Sequence, residues 1–156
     1  MKITLLVVNK TDIDYIKIGI DQYVSRLKHY CDFKIETINP KGGASLSSSD
    51  VKKLEGELIV KHIQKADRII LLDEHGDERR STQFASHIQK LANASIRNVY
   101  FVIGGAYGFS QQVYDIAHEK MSLSQMTFNH QMVRLFFVEQ LYRAFTIINN
   151  EKYHNE

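Results

Sequence analysis

The sequence predicts an α/β fold, a single domain built on a mainly parallel sheet with helices on both faces, and three observations carry that prediction. Short apolar runs alternate with segments of helical periodicity along the whole chain. The runs at 2–8, 67–73 and 98–105 are apolar almost throughout, as strands covered on both faces are. With 156 residues and no repeat, low-complexity tract or composition break, the chain forms one domain, residues 1–156. A domain of that size buries about 70% of its unfolded surface without disulfides or metals.

The first strand is "KITLLVV" at 2–8. Ile13, Ile16, Ile20, Val24 and Leu27 then recur at spacings of three and four, predicting a helix over 11–30 with Thr11 or Asp12 as its N-cap. "FKIETI" at 33–38 alternates, which suits a strand nearer a sheet edge. Residues 39–49 hold the chain's single proline, two glycines and four serines, the composition of a mobile loop. A helix follows over about 50–64, where Gly56 implies a close packing contact or a frayed middle. "DRIILLD" (67–73) is a buried strand and "DEHGDERR" (73–80) a charged turn. Ser81 or Thr82 caps a helix to about Ala94, and 98–105 is the next strand. A short helix after Ser110, a strand-like 120–124 and a long last helix to about Asn150 complete the order.

Composition excludes several functions. One cysteine, Cys31, rules out an internal disulfide or a cysteine-built zinc site, and it reads as a small half-buried side chain. Seven histidines include no HExxH pair and no Cys/His cluster, so no metal is expected. No apolar stretch is long enough to span a membrane, and the start lacks a signal-peptide pattern, so a cytoplasmic protein is expected. The net charge of +2 is too small to hold nucleic acid by charge alone.

Ligands of parallel sheets sit beyond the carboxyl ends of the strands, which selects the loops after Leu72, Ile103 and Leu123. The stretch "VYFVIGGAYGFS" lacks both the Gly-x-Gly-x-x-Gly spacing and the Lys-Ser/Thr of a phosphate loop. Two readings of its glycines stay open: they supply positive φ for a turn, or they bare the backbone for a flat ligand. With "LLDEHGDE" and "SLSQMTF", these loops would make apolar walls and backbone hydrogen-bonding groups, suited to an adenine and a methionine-like tail. The last helix is apolar nearly all round, which calls for cover on two sides, and a second copy of the chain would supply it. On it, Glu139 and Arg143 have the spacing of a surface ion pair. Arg134 or Arg143 could instead hold an anion at a dimer seam. The tail "EKYHNE" reads as frayed unless its Tyr153 and His154 rest on a base.

The stretches "MKITLLVV", "LLDEHG", "FVIGGAYG", "SLSQMTFNHQMVRLFFVEQLYRAF" and the terminal "YH" together resemble the ribosomal large subunit methyltransferase H family, small SPOUT-class enzymes. The resemblance spans essentially the whole chain. It implies a C-terminal trefoil knot, a homodimer and S-adenosylmethionine as methyl donor. The implied product is N3-methylpseudouridine in helix 69 of 23S rRNA, made on the assembled ribosome. It also implies a cofactor pocket of Leu72, Gly104, Ser122, Leu123, Ser124, Gln125, Met126 and Thr127, with Gly76 and Gly105 adjacent. Arg134, Tyr142, Arg143, Tyr153 and His154 match positions on the RNA side or dimer seam, and His154, His130 or Arg134 would serve catalysis. Two positions depart from the family pattern: Asn129 stands where proline is common, and Asn155 where a basic residue often follows the histidine. Two other readings are a non-catalytic ribosome-binding factor of this fold and a nucleotide-dependent small-molecule enzyme.

Overall fold

The computed structural model describes residues 1–42 and 45–155. Five strands, β1 (Lys2–Val8), β2 (Asp32–Ile38), β3 (Arg68–Glu78), β4 (Asn98–Ile103) and β5 (Glu119–Ser122), form one sheet in the order β2-β1-β4-β3-β5. Every neighbouring pair is parallel, with Leu5 opposite both Ile35 and Phe101. The alternating strand β2 is an edge strand, as its pattern predicts.

Period-two alternation splits the apolar strands between two cores. Ile3, Leu5, Val7, Val99, Phe101, Ile70 and Leu72 pack with helices α1 (Asp14–Leu27), α3 (Ser81–Asn93) and α5 (His130–Ile148). Leu6, Val8, Val102, Ile69 and Leu71 pack on the other face with α2 (Ser48–His62) and α4 (Gln111–Ile116). Helices thus cover both faces. The expected 39–49 loop includes residues 43 and 44, which lie outside the described residues.

Three local expectations change. The charged 73–80 segment is no simple turn, because β3 continues to Glu78 through a register shift between Leu72 and Asp77. Both of those residues pair with Met121, so the strand bulges and resumes. Helix α1 starts at Asp14 with no side-chain cap from Thr11 or Asp12. Buried Gln131 does that work from α5, its Oε1 accepting the N–H groups of Asp12 at 3.0 Å and Ile13 at 3.2 Å. Helix α3 is preceded by Arg80, whose N–H goes to Gln83 Oε1 at 2.8 Å, while Ser81 Oγ donates to Gln140 on α5. Two caps are therefore set by long-range packing and by a side chain inside the helix, which local residue preferences do not reveal.

The apolar girdle of α5 is explained in part within one chain, since α5 packs against both α1 and α3. Phe137 is fully buried, its ring 4.7 Å from that of Phe101. Gly19 on α1 lets the helices meet closely, because a Cβ there would lie 2.9 Å from Leu135 Cδ1. Phe136 stays 40% exposed, and Tyr15 and Ile18 of α1 stay 64% and 60% exposed.

Candidate functional site

A cleft of about 680 Å³ opens at the carboxyl ends of β3, β4 and β5, within the range of small-molecule sites. Its walls come from the three loops that the strand-end rule selects, through Leu72, Gly104, Gly105, Ser122, Leu123, Ser124, Met126 and Thr127. His130 also lines it, as does exposed Tyr107. Gly76 and Gln125 do not line it.

Each wall is braced locally. Asp73, ending the regular part of β3, accepts Tyr114 Oη–H at 2.5 Å and the His75 N–H at 2.9 Å. Those bonds hold its carboxyl below the usual range against the opposing pull of burial, and Tyr114 is pushed up to about 12 by burial and then by Asp73. Ser122 Oγ donates to Ser124 O at 2.8 Å, and Ser124 Oγ accepts from Met126 N at 3.0 Å, curling the third loop. Thr127 Oγ1 reaches Glu74 at 3.3 Å, joining the first and third loops. Asn129 caps α5 by accepting the Gln131 N–H at 2.9 Å. Its φ of −55° lies in the range a proline ring imposes, so this turn keeps proline-like geometry and not the left-handed form that asparagine also tolerates.

The glycines resolve separately. Among the described glycines only Gly108 has a positive φ, +75°, in a turn closed by its N–H on Gly105 O. Gly104 and Gly105 need space and not unusual backbone. A Cβ on Gly104 would press on the Phe109 ring at 3.1 Å, and one on Gly105 would run into the Glu55 carboxyl. Gly76 belongs to sheet pairing: a Cβ there would lie 2.5 Å from Met121 N in β5.

Arg134 is the clearest departure from expectation. It is 1% exposed, with Nη2 donating to Val8 O at 2.7 Å and Nη1 donating to Asn9 O at 3.0 Å and Thr11 Oγ1 at 2.8 Å. Burial pushes its pKa down. The guanidinium is committed to the end of β1, where Asn9 has φ +63°, and does not face the cleft or solvent. Within one chain Arg134 ties α5 to the β1–α1 connection.

The remaining candidates gather at the far end of α5. Glu139 Oε1 accepts from Arg143 Nη2 at 2.6 Å and from Tyr153 Oη at 3.0 Å, and Tyr153 Oη lies 3.2 Å from Tyr23 Oη. The Arg143 guanidinium sits 4.7 Å over the Tyr153 ring, Tyr142 meets that ring edge-on at 4.8 Å, and Arg143 Nη1 is 3.4 Å from His154 Nδ1. The expected Glu139–Arg143 pair is present, and the expected fraying of the tail is not, because Tyr153 is held on two elements. Tyr153→Phe is expected to cost about 1 kcal/mol of stability, the net worth of one such hydrogen bond, read by urea denaturation. An unchanged midpoint would mean the ring alone pins the tail.

His130 and Arg143 stand about 20 Å apart along α5, by the helical rise per residue. A single chain does not bring the tail cluster to the cleft. Sequence reasoning missed Lys52, Glu55, Asp73 and Tyr114, which reach or brace the cleft; only the acidic turn holding Asp73 carried any signal. Lys52 is the one Lys or Arg side chain on the cleft lining. Burial pushes the Cys31 thiol up to about 12, keeping it protonated. Among the described residues, no group of three or more His, Cys, Asp or Glu is arranged for a metal ion, and no helix is long and apolar enough to cross a membrane.

Parallel strands and, at their carboxyl ends, a cleft walled by apolar side chains and bare backbone define an α/β protein whose open strand ends have room for a small molecule. A family model described as predicted SPOUT methyltransferase matches residues 1–154. The chain belongs to the SPOUT methyltransferase family. Proteins named ribosomal RNA large subunit methyltransferase H are similar over full length: one from Bacteroides fragilis is 52% identical and one from Parabacteroides distasonis 50% identical, each covering 100% of both chains. One from Cytophaga hutchinsonii is 50% identical, covering 99% of this chain and 100% of its own. Among solved structures, a probable methylase family protein from Haemophilus influenzae superposes with a TM-score of 0.60 at 11% identity, covering 97% of this chain and 67% of that one. A probable methyltransferase from Bordetella pertussis gives 0.55 at 8% identity, covering 92% and 96%. At those identities the two structures speak for the fold alone.

Proposed function

We propose that this chain methylates 23S rRNA of the large ribosomal subunit, at N3 of a pseudouridine in helix 69, with S-adenosylmethionine as donor. The observation that carries the reading is the cleft. Leu72, Ile103 and Leu123 offer apolar wall, the 104–108 backbone offers hydrogen-bonding groups, and Lys52 is the one cationic side chain of the lining. That donor set suits an adenosine and an aliphatic tail and would leave a triphosphate poorly neutralised. The full-length similarity to proteins named for rRNA methylation supports the substrate class.

S-adenosylmethionine supplies a methyl group already activated on a sulfonium, so positioning is the chief task left to the protein. The loops after β3, β4 and β5 would hold the donor. The attacking N3 carries a proton that must leave, and His130 at the cleft or His154 in the tail cluster would take it. His154, Tyr153, Tyr142 and Arg143 meet a substrate at this chain's cleft only if a second chain presents them. We therefore include a homodimer in the proposal, together with a C-terminal trefoil knot in the family manner. The exposed Tyr15, Ile18 and Phe136 give a second copy apolar surface to cover.

The test is transfer of labelled methyl to whole ribosomes lacking the modification, with the product base located by mass spectrometry. Methylation of one pseudouridine is expected, on ribosomes and not on naked rRNA. No transfer by protein that binds the donor would favour a non-catalytic ribosome-binding role. No calorimetric binding of the donor would sink the methyltransferase reading.

A further inference from the structure

Glu55 on α2 is 4% exposed, and its Oε2 has no hydrogen-bond partner among the described residues. Its carboxyl lies against Gly105, and burial pushes its pKa up against the opposing pull of the Gly105 N–H. Leaving a buried carboxyl with half its bonding capacity unmet is costly, and an apolar side chain of similar size would pack there more cheaply. Stability alone does not account for a glutamate at this position.

Its surroundings suggest what does. The carboxyl fills the space that a side chain on residue 105 would need, since a Cβ built there would lie 2.5 Å from Glu55 Oε1. The next residue, Gly56, makes a second close approach, where a Cβ would overlap Ser110 Oγ and lie 2.8 Å from Gln112 Nε2. Helix α2 thus presses on the segment after β4 at both ends, at Gly105 and at Ser110. Lys52, one turn before Glu55, lines the cleft that this segment floors. Gly105 has no positive φ, so no backbone conformation demands glycine there.

We infer that Glu55 is a positioning residue for the cofactor loop: its carboxyl occupies the space left by glycine at 105, holds the Gly105 N–H, and so fixes the 104–108 backbone that floors the cleft. Gly105 is then glycine because of Glu55, and not because the ligand needs bare backbone at that point. The inference rests on the S-adenosylmethionine reading of the cleft.

Calorimetric titration of the full-length protein with S-adenosylmethionine tests it, using Glu55→Ala, Glu55→Gln, Gly105→Ala and the double variant Glu55→Ala/Gly105→Ala. Loss of a buried hydrogen bond at the loop is expected to raise the dissociation constant about tenfold in Glu55→Ala. Glu55→Gln, which can still accept the Gly105 N–H, is expected to recover most of that loss. Gly105→Ala is expected to bind at least tenfold more weakly, by the collision with the carboxyl. The double variant, where the new methyl enters the vacated space, is expected to bind more tightly than Gly105→Ala alone. In steady-state methylation KM for the donor should rise in Glu55→Ala while KM for ribosomes holds, a split that general unfolding would not produce. Should Glu55→Ala fail to fold, Glu55→Asp/Gly105→Ala makes the same room with a shorter acid. Wild-type affinity in Glu55→Ala, or no recovery in the double variant, would overturn the inference. Failure of the wild-type protein to bind the donor would instead remove the reading on which it rests.

Discussion

Arg134→Ala is expected to lower the unfolding free energy by about 2–5 kcal/mol, one of the largest effects of any single substitution in this chain. The side chain is long and fully enclosed, so its loss leaves a cavity. Its departure also strands the Val8 and Asn9 carbonyls, which now receive its two terminal nitrogens at 2.7 and 3.0 Å. A buried acceptor left unpaired costs far more than the net worth of the bond it made. Arg134→Lys is expected to recover only a minor part, because an ammonium is a point donor and cannot span acceptors on two successive residues and a threonine hydroxyl. Urea denaturation monitored by circular dichroism reads both values. A loss below about 1 kcal/mol for alanine would show that solvent reaches the vacated carbonyls. The damage should spread to function, because α5 begins where the cleft's third loop ends, and Arg134 with Gln131 fastens that first turn to residues 8–13.

Gly76→Ala is expected to cost about 1–3 kcal/mol and to weaken donor binding about tenfold or more, for a different reason. The added Cβ meets backbone on every side, 2.5 Å from Met121 N and 2.7 Å from the carbonyl carbons of Lys120 and Met121. A side chain could rotate away; a paired strand moves only by giving up hydrogen bonds. Strand β5 is short and lies at the sheet edge, so it is the strand that yields. Ser122 to Thr127 continue directly from it into the cleft wall, which couples the clash to the site although Gly76 does not touch the cleft. Amide exchange at Met121 and Ser122 should accelerate in the variant. Unchanged protection there, with unchanged donor affinity, would refute the account.

These two positions mark where sequence reading ends. Gly76 stood in a charged run that looked like a turn, because acidic residues and a glycine between apolar strands usually mean one. That the chain bulges and rejoins β5 depends on a partner strand more than forty residues away, Asp77 pairing with Met121. Arg134, read by its place on the last helix, stood as a possible anion holder at a dimer seam; its burial arises because α5 crosses the end of β1. The same holds for α1, whose cap is Gln131, more than a hundred residues distant in the chain.

The strand-end loops, by contrast, were readable from local pattern. Buried parallel strands announce themselves by unbroken apolar runs, and the ends of such strands are where backbone groups remain available to a ligand. Periodicity alone thus determined an α/β sheet, two helical layers and the three loops that wall the cleft. Tertiary structure decided which residues brace those loops from outside, Glu55 beneath Gly105 and Tyr114 on Asp73, and which charges are withdrawn into the fold. The physical reason is range: hydrophobic period is a property of neighbours along the chain, whereas the space left for a Cβ and the partner of a buried polar atom depend on segments far apart in sequence.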